Sequence, residues 1–330
     1  MKTITSINNE IVKETVKLQQ KKYRNQTGFF LLEGIKTINE AVISNINITK
    51  IFVQKGVNIP LSVIRSASHN LAIPNAAYGT LPCNSRFARK QEELQVRDDV
   101  KQFVKPDSLP LLWKNIDIYE VTEAVIKKIS TTETPPEIVA IAQQKKYSIE
   151  DLFQSRSQPI DKKPAGSQSG SAAAAPLIVV IEDIKDAGNL GTIIRTAAAG
   201  NVSGIVLYGD TVDLYNPKTV RSAVGNLWKI PIVELNEKLN LKETLLQYGK
   251  YKFFATVVNN TKKPDNCFIT DFKGPSVIMF GSEADGLSKD LINQADCLIT
   301  IPMKENVESL NLSMSVGIIV YESLRQRLYV

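Results

Sequence analysis

The chain has 330 residues, a formal net charge of +6 at pH 7 and a hydrophobic fraction of 43%. This length exceeds one average domain, so two cores are expected. No apolar run approaches the roughly 18 residues that cross a bilayer, which argues against an integral membrane protein, and the N-terminus lacks the apolar stretch of a secretory signal. We therefore expect a cytoplasmic protein, or one of an organelle matrix if the source is eukaryotic.

The cysteines and the single histidine restrict the chemistry that the chain can perform. Cys83, Cys267 and Cys297 are odd in number and far apart, which fits buried thiols in a reducing compartment. With one histidine, His69, and no Cys-x-x-Cys pair, there is little material for a zinc site or a Ser-His-Asp relay, so no metal is expected. The excess of Lys and Arg over Asp and Glu, 40 to 34, is consistent with a polyanionic partner such as RNA.

The N-terminal region predicts a small α/β domain over residues 1–154. Six basic residues among the first 24, with Ile7, Ile11 and Leu18 at helical spacing, predict a basic amphipathic helix. Strands are predicted at 29–32, 48–53, 116–121 and 138–142, and helices at 34–44 and 123–129. The strand, helix, strand order favours a partly parallel sheet. Residues 69–112 lose this pattern and are predicted to be an insertion.

Residues 155–176 are rich in Pro, Gly, Ser, Gln and Ala and predict a flexible linker to a second domain over 177–330. In that domain the predicted strands are 177–182, 204–208, 230–233, 252–257, 276–280 and 297–301. The predicted helices are 189–200, 217–223, 241–247, 288–293 and 312–328. This alternation predicts an open α/β sheet with its ligand chemistry at the carboxyl ends of the strands.

Three segments follow strands at those carboxyl ends. In the first, residues 186–197, Gly188 and Gly191 allow a tight turn, Asn189 can cap the helix and Arg195 follows; a capped helix with a surface arginine is the alternative. In the second, residues 279–288, small residues let a ligand approach the main chain while Glu283 supplies a carboxylate; a turn with a solvated acid is the alternative.

The third segment, residues 301–322, contains Ser309, Leu310, Asn311 and Ser313 between a strand and the last helix. Here Ser309 or Asn311 can equally serve as a simple N-cap.

Taken together, these segments resemble the SpoU family of RNA ribose methyltransferases, of the SPOUT class. The resemblance rests on Asn189, Gly191, Arg195, Thr196 and Ala197, on Gly281, Ser282, Glu283 and Gly286, on Ile301-Pro302-Met303 with residues 309–313, and on Asn216-Pro217-Lys218 with Arg221. Residues 6–8, 17–24 and 30–34 are similar to the family's accessory RNA-binding domain, which has an L30e-like fold.

The resemblance implies a deep trefoil knot in the C-terminal domain and S-adenosylmethionine as the cofactor. It implies cofactor contacts at Gly281, Ser282, Ile301, Met303 and Leu310, and catalytic roles for Asn189, Arg195, Glu283, Ser309 and Asn311. An arginine keeps its charge, so Arg195 is expected to bind a phosphate and orient the hydroxyl, although action as a base stays open.

The expected substrate is the ribose 2′-hydroxyl of large-subunit, 23S-type ribosomal RNA. RNA contacts are expected from Lys13, Lys17, Lys21, Lys22, Arg24, Lys218 and Arg221. The resemblance also implies a homodimer through the C-terminal domain, with helix 312–328 contributing. Two alternatives stay open, a transfer-RNA 2′-O-methyltransferase and a non-catalytic RNA-binding or ribosome-assembly protein. A Rossmann-type dehydrogenase is disfavoured because no Gly-x-Gly-x-x-Gly follows the first strand of either domain.

Overall fold

The structure of the protein is a computed structural model that describes residues 2–57, 116–154, 175–235, 239–258 and 263–328. The chain divides into two compact units, one of residues 1–17 and 33–143 and the other of residues 18–32 and 144–330. The predicted insertion at 69–112, with His69 and Cys83, lies outside the described residues, as does the predicted linker apart from its last two residues.

A mixed five-stranded sheet, in the order β1, β4, β3, β5, β2, forms in the N-terminal region. Its strands are β1 (Lys2–Ile4), β2 (Phe29–Glu33), β3 (Ile48–Gln54), β4 (Asp117–Val121) and β5 (Ile138–Gln143). The helices of this region are α1 (Glu10–Lys17), α2 (Lys21–Thr27), α3 (Ile35–Ile43) and α4 (Glu123–Ile129). Strand β4 pairs in parallel with β1 and β3, whereas β5 is antiparallel to β3, so the expectation of a partly parallel sheet is confirmed.

The basic N-terminal helix predicted from the sequence is two helices. Helix α1 ends at Lys17 and α2 begins at Lys21. Between them Leu18 is buried, and its carbonyl oxygen accepts a hydrogen bond from Arg24 Nη1 at 2.8 Å. Because Arg24 folds back onto Leu18, the chain turns at this point, and a spacing pattern alone could not reveal that contact.

The second unit contains a seven-stranded sheet in the order β10, β12, β9, β11, β6, β7, β8, in which every neighbouring pair is parallel. The strands are β6 (Leu177–Glu182), β7 (Gly204–Tyr208), β8 (Ile232–Leu235), β9 (Lys252–Thr256), β10 (Asp265–Asn266), β11 (Ser276–Phe280) and β12 (Cys297–Thr300). The helices are α5 (Asp151–Gln154), α6 (Ala187–Ala199), α7 (Pro217–Ser222), α8 (Leu241–Leu246), α9 (Lys289–Gln294) and α10 (Leu312–Leu328), with a short 3-10 helix at Asn226–Trp228.

The order of this sheet positions the predicted site. Every residue of β6, β7 and β11 is buried, as expected for the apolar strands of a parallel sheet. The late strand β11 lies between β6 and β9, so the segments that follow β6 and β11 leave from adjacent strands, and the segment after β12 leaves nearby. The predicted parallel α/β sheet is confirmed. Within the described ranges, no helix has the length and apolar character to cross a membrane.

Residues 144–154 belong to the second unit, although the sequence places them in the first domain. Leu152 is fully buried in the core of that unit with Ile178, Val206 and Val233, and the rings of Phe153 and Tyr248 stack with centroids 4.6 Å apart. The second compact unit therefore resumes at residue 144.

The start of β6 is secured by the end of the last helix. The Arg327 guanidinium donates to three carbonyl oxygens, those of Ala175 at 2.8 Å, Phe272 at 2.9 Å and Gly274 at 2.9 Å. Burial lowers the pKa of Arg327 to about 10, because the charged guanidinium loses hydration. Helix α10 is thereby tied to the segments that lead into β6 and β11.

Residues 18–32 also group with the second unit, through a buried ion pair. Arg24 is 2% exposed, and its Nε donates to Asp213 Oδ2 at 2.8 Å while Nη2 contacts the same oxygen. Phe30 packs against Tyr215 and Trp228, with ring centroids 4.5 and 6.3 Å away. Helix α2 and the following strand are therefore attached to the loop after β7.

We expect Arg24→Met to lower the free energy of unfolding by about 3–5 kcal/mol, because Asp213 would remain buried and unpaired. The double variant Arg24→Met/Asp213→Leu should recover most of this loss, since it removes both buried charges. Urea unfolding measures the effect, and Lys22→Met on the exposed side of α2 is the control. Equal stability of Arg24→Met and the unmodified protein would show that the pair does not hold α2.

Candidate active site

Three side chains from the three predicted segments meet in a hydrogen-bonded cluster, hereafter the amide cluster of Asn189, Glu283 and Asn311. Asn189 Nδ2 donates to Glu283 Oε1 at 2.9 Å, and Asn311 Nδ2 donates to Asn189 Oδ1 at 3.0 Å. Asn189 lies in the first turn of α6, Glu283 follows β11 and Asn311 precedes α10. The structure therefore brings together three of the five predicted catalytic residues.

Asp186, and not Asn189, caps helix α6. Its Oδ1 accepts from the backbone N–H of Asn189 at 2.7 Å, and the helix begins at Ala187. Lys218 Nζ donates to Asp186 Oδ2 at 2.8 Å, and this bond holds the pKa of Asp186 below its usual value. The cap therefore stays ionised at neutral pH, and the Asn189 side chain is left to join the amide cluster. The N-cap preference of Asp was the available sequence signal.

Gly191 serves helix packing, and not the tight turn predicted before the helix. Gly188 and Gly191 both lie inside α6. A Cβ at position 191 would lie 2.4 Å from Ser222 Cβ and 2.7 Å from the Thr219 carbonyl oxygen of α7. Helix α6 therefore approaches α7 at a distance that only glycine permits.

Gly281 makes room for the chain itself. A Cβ there would lie 1.8 Å from the backbone carbon of Gly286. Ser282 and Gly286 exchange two backbone hydrogen bonds of 3.2 Å, Ser282 Oγ accepts from Asp285 N at 3.0 Å, and Gly286 has a φ of +69°. The space that the sequence assigned to a ligand at this position is filled by residues 286–287. The resulting loop carries Glu283 to Asn189.

Asn311 is both a helix cap and a member of the amide cluster. Its Oδ1 accepts from the backbone N–H of Ser313 at 2.9 Å and from Ser313 Oγ at 2.6 Å, while its Nδ2 reaches Asn189. Ser309 is exposed in the preceding loop and bonds to neither Asn189 nor Glu283. The capping alternative and the functional interpretation of Asn311 are therefore compatible.

Arg195 lies apart from the amide cluster on the exposed side of α6. Six residues beyond Asn189, it is displaced by about 9 Å along the helix axis and points in a different direction. Within the described ranges its side chain has no hydrogen bond or ion pair with another residue. The guanidinium is therefore accessible to an anionic ligand.

The predicted cofactor residues of the third segment are apolar and accessible. Ile301 and Met303 are half-buried directly after β12, and Leu310 is 37% exposed. Partly exposed apolar side chains beside the carboxyl ends of parallel strands suit the flat face of an adenine ring. Among the residues that the structure describes, no group of three His, Cys, Asp or Glu could hold a metal ion.

The residues predicted to contact RNA have different environments. The prediction that Arg24 contacts RNA is wrong for this structure. Its side chain is 2% exposed and paired with Asp213, so it cannot contact a phosphate. Lys13 pairs with Glu10 at 3.0 Å and Lys17 with Glu14 at 2.6 Å, both on the surface of α1. Lys21 and Lys22 are exposed, Lys218 pairs with Asp186, and Arg221 is half-exposed.

The sequence matches two known domain families. Residues 176–321 match the SpoU rRNA Methylase family, and residues 9–81 match the MRM3-like substrate binding domain. An uncharacterized tRNA/rRNA methyltransferase of Synechocystis sp. is 30% identical over 325 residues, which are 98% of this chain and 94% of that relative. The 23S rRNA (guanosine(2553)-2′-O)-methyltransferase RlmP of Bacillus subtilis is 26% identical over 97% of this chain and 98% of its own length.

A solved structure has the same fold over nearly the whole chain. The AdoMet-bound rRNA methyltransferase from Sinorhizobium meliloti is 26% identical and superposes with a TM-score of 0.68, covering 98% of this chain and 97% of that one. The resemblance that the motifs indicated is thereby confirmed over both regions of the sequence.

We expect Gly281→Ala to destabilise the protein by about 1–3 kcal/mol, because the added methyl group meets backbone atoms that no side-chain rotation can move. The loop should shift and Glu283 should separate from Asn189, which a crystal structure of the variant would show. The matched control is Gly274→Ala, where a Cβ meets nothing within 4 Å. An unchanged urea midpoint with an unmoved loop would contradict the packing described for Gly281.

Proposed function

Because the chain belongs to the SpoU rRNA methylase family, we propose that it transfers a methyl group from S-adenosylmethionine to a ribose 2′-hydroxyl of large-subunit ribosomal RNA. The observation that carries the proposal is the amide cluster, since it joins all three motif segments at the carboxyl edge of the sheet. The full-length relative from Bacillus subtilis is named as a 23S rRNA 2′-O-methyltransferase, and the Sinorhizobium meliloti structure has AdoMet bound.

The cofactor is held, in this proposal, by the loops after β11 and β12. Ile301, Met303 and Leu310 offer apolar contact area to the adenosine. The main chain of Gly281 and Ser282 borders this area, although the Ser282 N–H and carbonyl oxygen are already hydrogen-bonded to Gly286. The chemistry of these residues fits the group, because the apolar side chains are open to solvent and carry no charge. When bound, S-adenosylmethionine supplies an activated methyl group on a positively charged sulfur.

The protein's own contribution is positioning and charge stabilisation. Arg195 binds a phosphate of the RNA as a permanent cation and thereby orients the ribose hydroxyl. The amide cluster fixes the three loops against one another, with one Glu283 oxygen engaged by Asn189. Ser309, exposed on the loop before Asn311, offers its hydroxyl to the substrate.

The N-terminal region serves substrate binding, as its match to the MRM3-like domain suggests. A fold of this family also implies the trefoil knot, and the position of β11 between β6 and β9 is compatible with that topology. We accordingly place the protein in the cytoplasm, or in an organelle matrix if the source is eukaryotic.

Two alternative functions can be distinguished from this proposal by experiment. The Synechocystis relative is named for both RNA classes, so a transfer-RNA substrate is the second candidate. Methylation assays that offer transfer RNA and large-subunit ribosomal RNA side by side decide between them. A non-catalytic ribosome-assembly protein need not bind S-adenosylmethionine, so calorimetric titration with the cofactor separates that alternative from an enzyme.

We expect Arg195→Ala to reduce methyl transfer at least about 100-fold, as loss of a charge-stabilising donor does in other enzymes, with unchanged cofactor affinity. Transfer of labelled methyl groups to ribosomal RNA and cofactor titration measure the two effects. Thr192→Ala, on the same exposed side of α6, is the control. Retained turnover in Arg195→Ala, or loss of cofactor binding, would remove Arg195 from the role proposed here.

A homodimer through the C-terminal unit is a further part of the proposal. Met314 and Tyr321 of α10 are 59% and 50% exposed, which is apolar surface that a second copy would cover. Sedimentation should show a species of twice 36.6 kDa at micromolar concentration. Met314→Glu/Tyr321→Glu should shift it to the monomer without altering the unfolding midpoint. A 36.6 kDa species alone for the unmodified protein would contradict the dimer.

A further inference from the structure

The tripeptide Lys-Lys-Tyr occurs at residues 21–23 and again at 145–147. Although about 120 positions separate them, both copies belong to the second unit. Gln144 joins the two copies. Its backbone N–H donates to the Gly28 carbonyl oxygen at 2.8 Å, and its Nε2 donates to the Arg24 carbonyl oxygen at 3.3 Å. The fold therefore brings two pairs of lysines together that the sequence keeps apart.

Both copies are held on the loop after β7. The first is held by the buried pair of Arg24 and Asp213. The second is held by Tyr215, whose hydroxyl accepts from Lys145 N at 2.8 Å and donates to the Lys145 carbonyl oxygen at 2.5 Å. The Tyr215 backbone N–H donates to Asp213 Oδ1 at 2.9 Å, so the two attachments meet on one turn. The lysines therefore stand on a common rigid base.

The surface that results is positively charged. Lys21, Lys22, Lys145 and Lys146 are all exposed. Lys21 and Lys146 act on the same carboxylate, Glu234, which places the ends of the two segments around one point. The nearby Asp210 is engaged by Lys185 at 2.7 Å. The two segments carry four exposed ammonium groups, two of which act on Glu234. The resulting positive charge attracts a polyanion.

An aromatic ring accompanies these charges. The ammonium group of Lys145 lies over the ring of Tyr147, 4.7 Å from its centroid, and Tyr147 is half-buried against the core. Lysines beside a partly exposed aromatic ring are the composition of surfaces that follow a nucleic-acid backbone.

We propose that Lys21, Lys22, Lys145 and Lys146, hereafter the paired-lysine surface, bind the phosphate backbone of the RNA on the methyltransferase unit itself. The inference rests on the proposed function and identifies where that unit holds its substrate. Lysine contacts to phosphates give affinity and position without reading the base sequence.

This surface belongs to the same framework as the amide cluster. Val212, next to Asp213, donates its N–H at 2.7 Å to the carbonyl oxygen of Ile184, which lies two residues before the cap Asp186. Lys218 joins the following helix to Asp186. RNA bound by the four lysines is therefore held at a defined position relative to α6 and its Arg195.

The test uses full-length charge-reversal variants. Two double variants are compared, Lys21→Glu/Lys22→Glu and Lys145→Glu/Lys146→Glu. Each should weaken binding of a large-subunit ribosomal RNA transcript roughly tenfold. Each should also lower the number of counterions released on binding, read from the salt dependence of the binding constant, by about two. Cofactor affinity and the unfolding midpoint should not change. The control is Lys250→Glu/Lys273→Glu, two exposed lysines that precede β9 and β11 on the other side of β6 from β8.

The possible outcomes separate this inference from the proposed function. If the unmodified protein methylates ribosomal RNA but neither pair of reversals alters RNA affinity, the paired-lysine surface is wrong and the function stands. An equal loss of RNA affinity in the control variant would also overturn the proposal. So would equal competition by polyglutamate and RNA for this surface, because the surface would then bind any polyanion. If the unmodified protein transfers no methyl group to any RNA while the reversals still weaken transcript binding, the function fails and the surface stands.

Discussion

The side chain of Asn189 provides the contact on which the candidate site depends. A primary amide presents an NH2 group that donates and a carbonyl oxygen that accepts, and Asn189 uses both groups, donating to Glu283 and accepting from Asn311. An aspartate at this position would repel Glu283, and an aliphatic residue would bond to neither partner. Three loops that leave different strands of a parallel sheet are thereby held by one planar group. The capping of α6 by Asp186 is what leaves this amide available.

A second interaction connects that group to the N-terminal segment. Burying Arg24 and Asp213 costs hydration that their attraction only partly returns, so the pair specifies where α2 is placed more than it stabilises the fold. From Asp213 a continuous series of short-range contacts leads to the amide cluster through Asn216, Lys218, Asp186 and Asn189. A segment from the substrate-binding side of the sequence is therefore built into the frame that positions the proposed chemistry.

The sequence predicts the regular part of this architecture well. Strands 177–182, 204–208 and 276–280 and helix 312–328 begin and end where the structure has them, because fully buried strands and a long helix leave continuous or periodic apolar patterns. Short elements such as β1 and β10 leave no such pattern. Gly191 lies within a helix and not in the predicted tight turn. The atoms that require Gly191 and Gly281 to be small belong to residues brought near by folding, so the local sequence does not reveal them.

The division of the chain into compact units also depends on contacts that the local sequence does not reveal. This has a practical consequence for truncated proteins. Composition identifies residues 155–176 as unlike their surroundings, yet the chain changes units at 17, 32 and 143, where nothing in the local sequence marks a boundary. A protein cut at residue 154 would lose Arg24 and Leu152, so Asp213 would stay buried without its partner and the core around Val206 would open. Loss of RNA binding by that fragment would then report a damaged methyltransferase unit and not the absence of a separate RNA-binding domain. Substitutions on exposed lysines of the intact chain avoid this ambiguity, because they change charge while leaving both attachments in place.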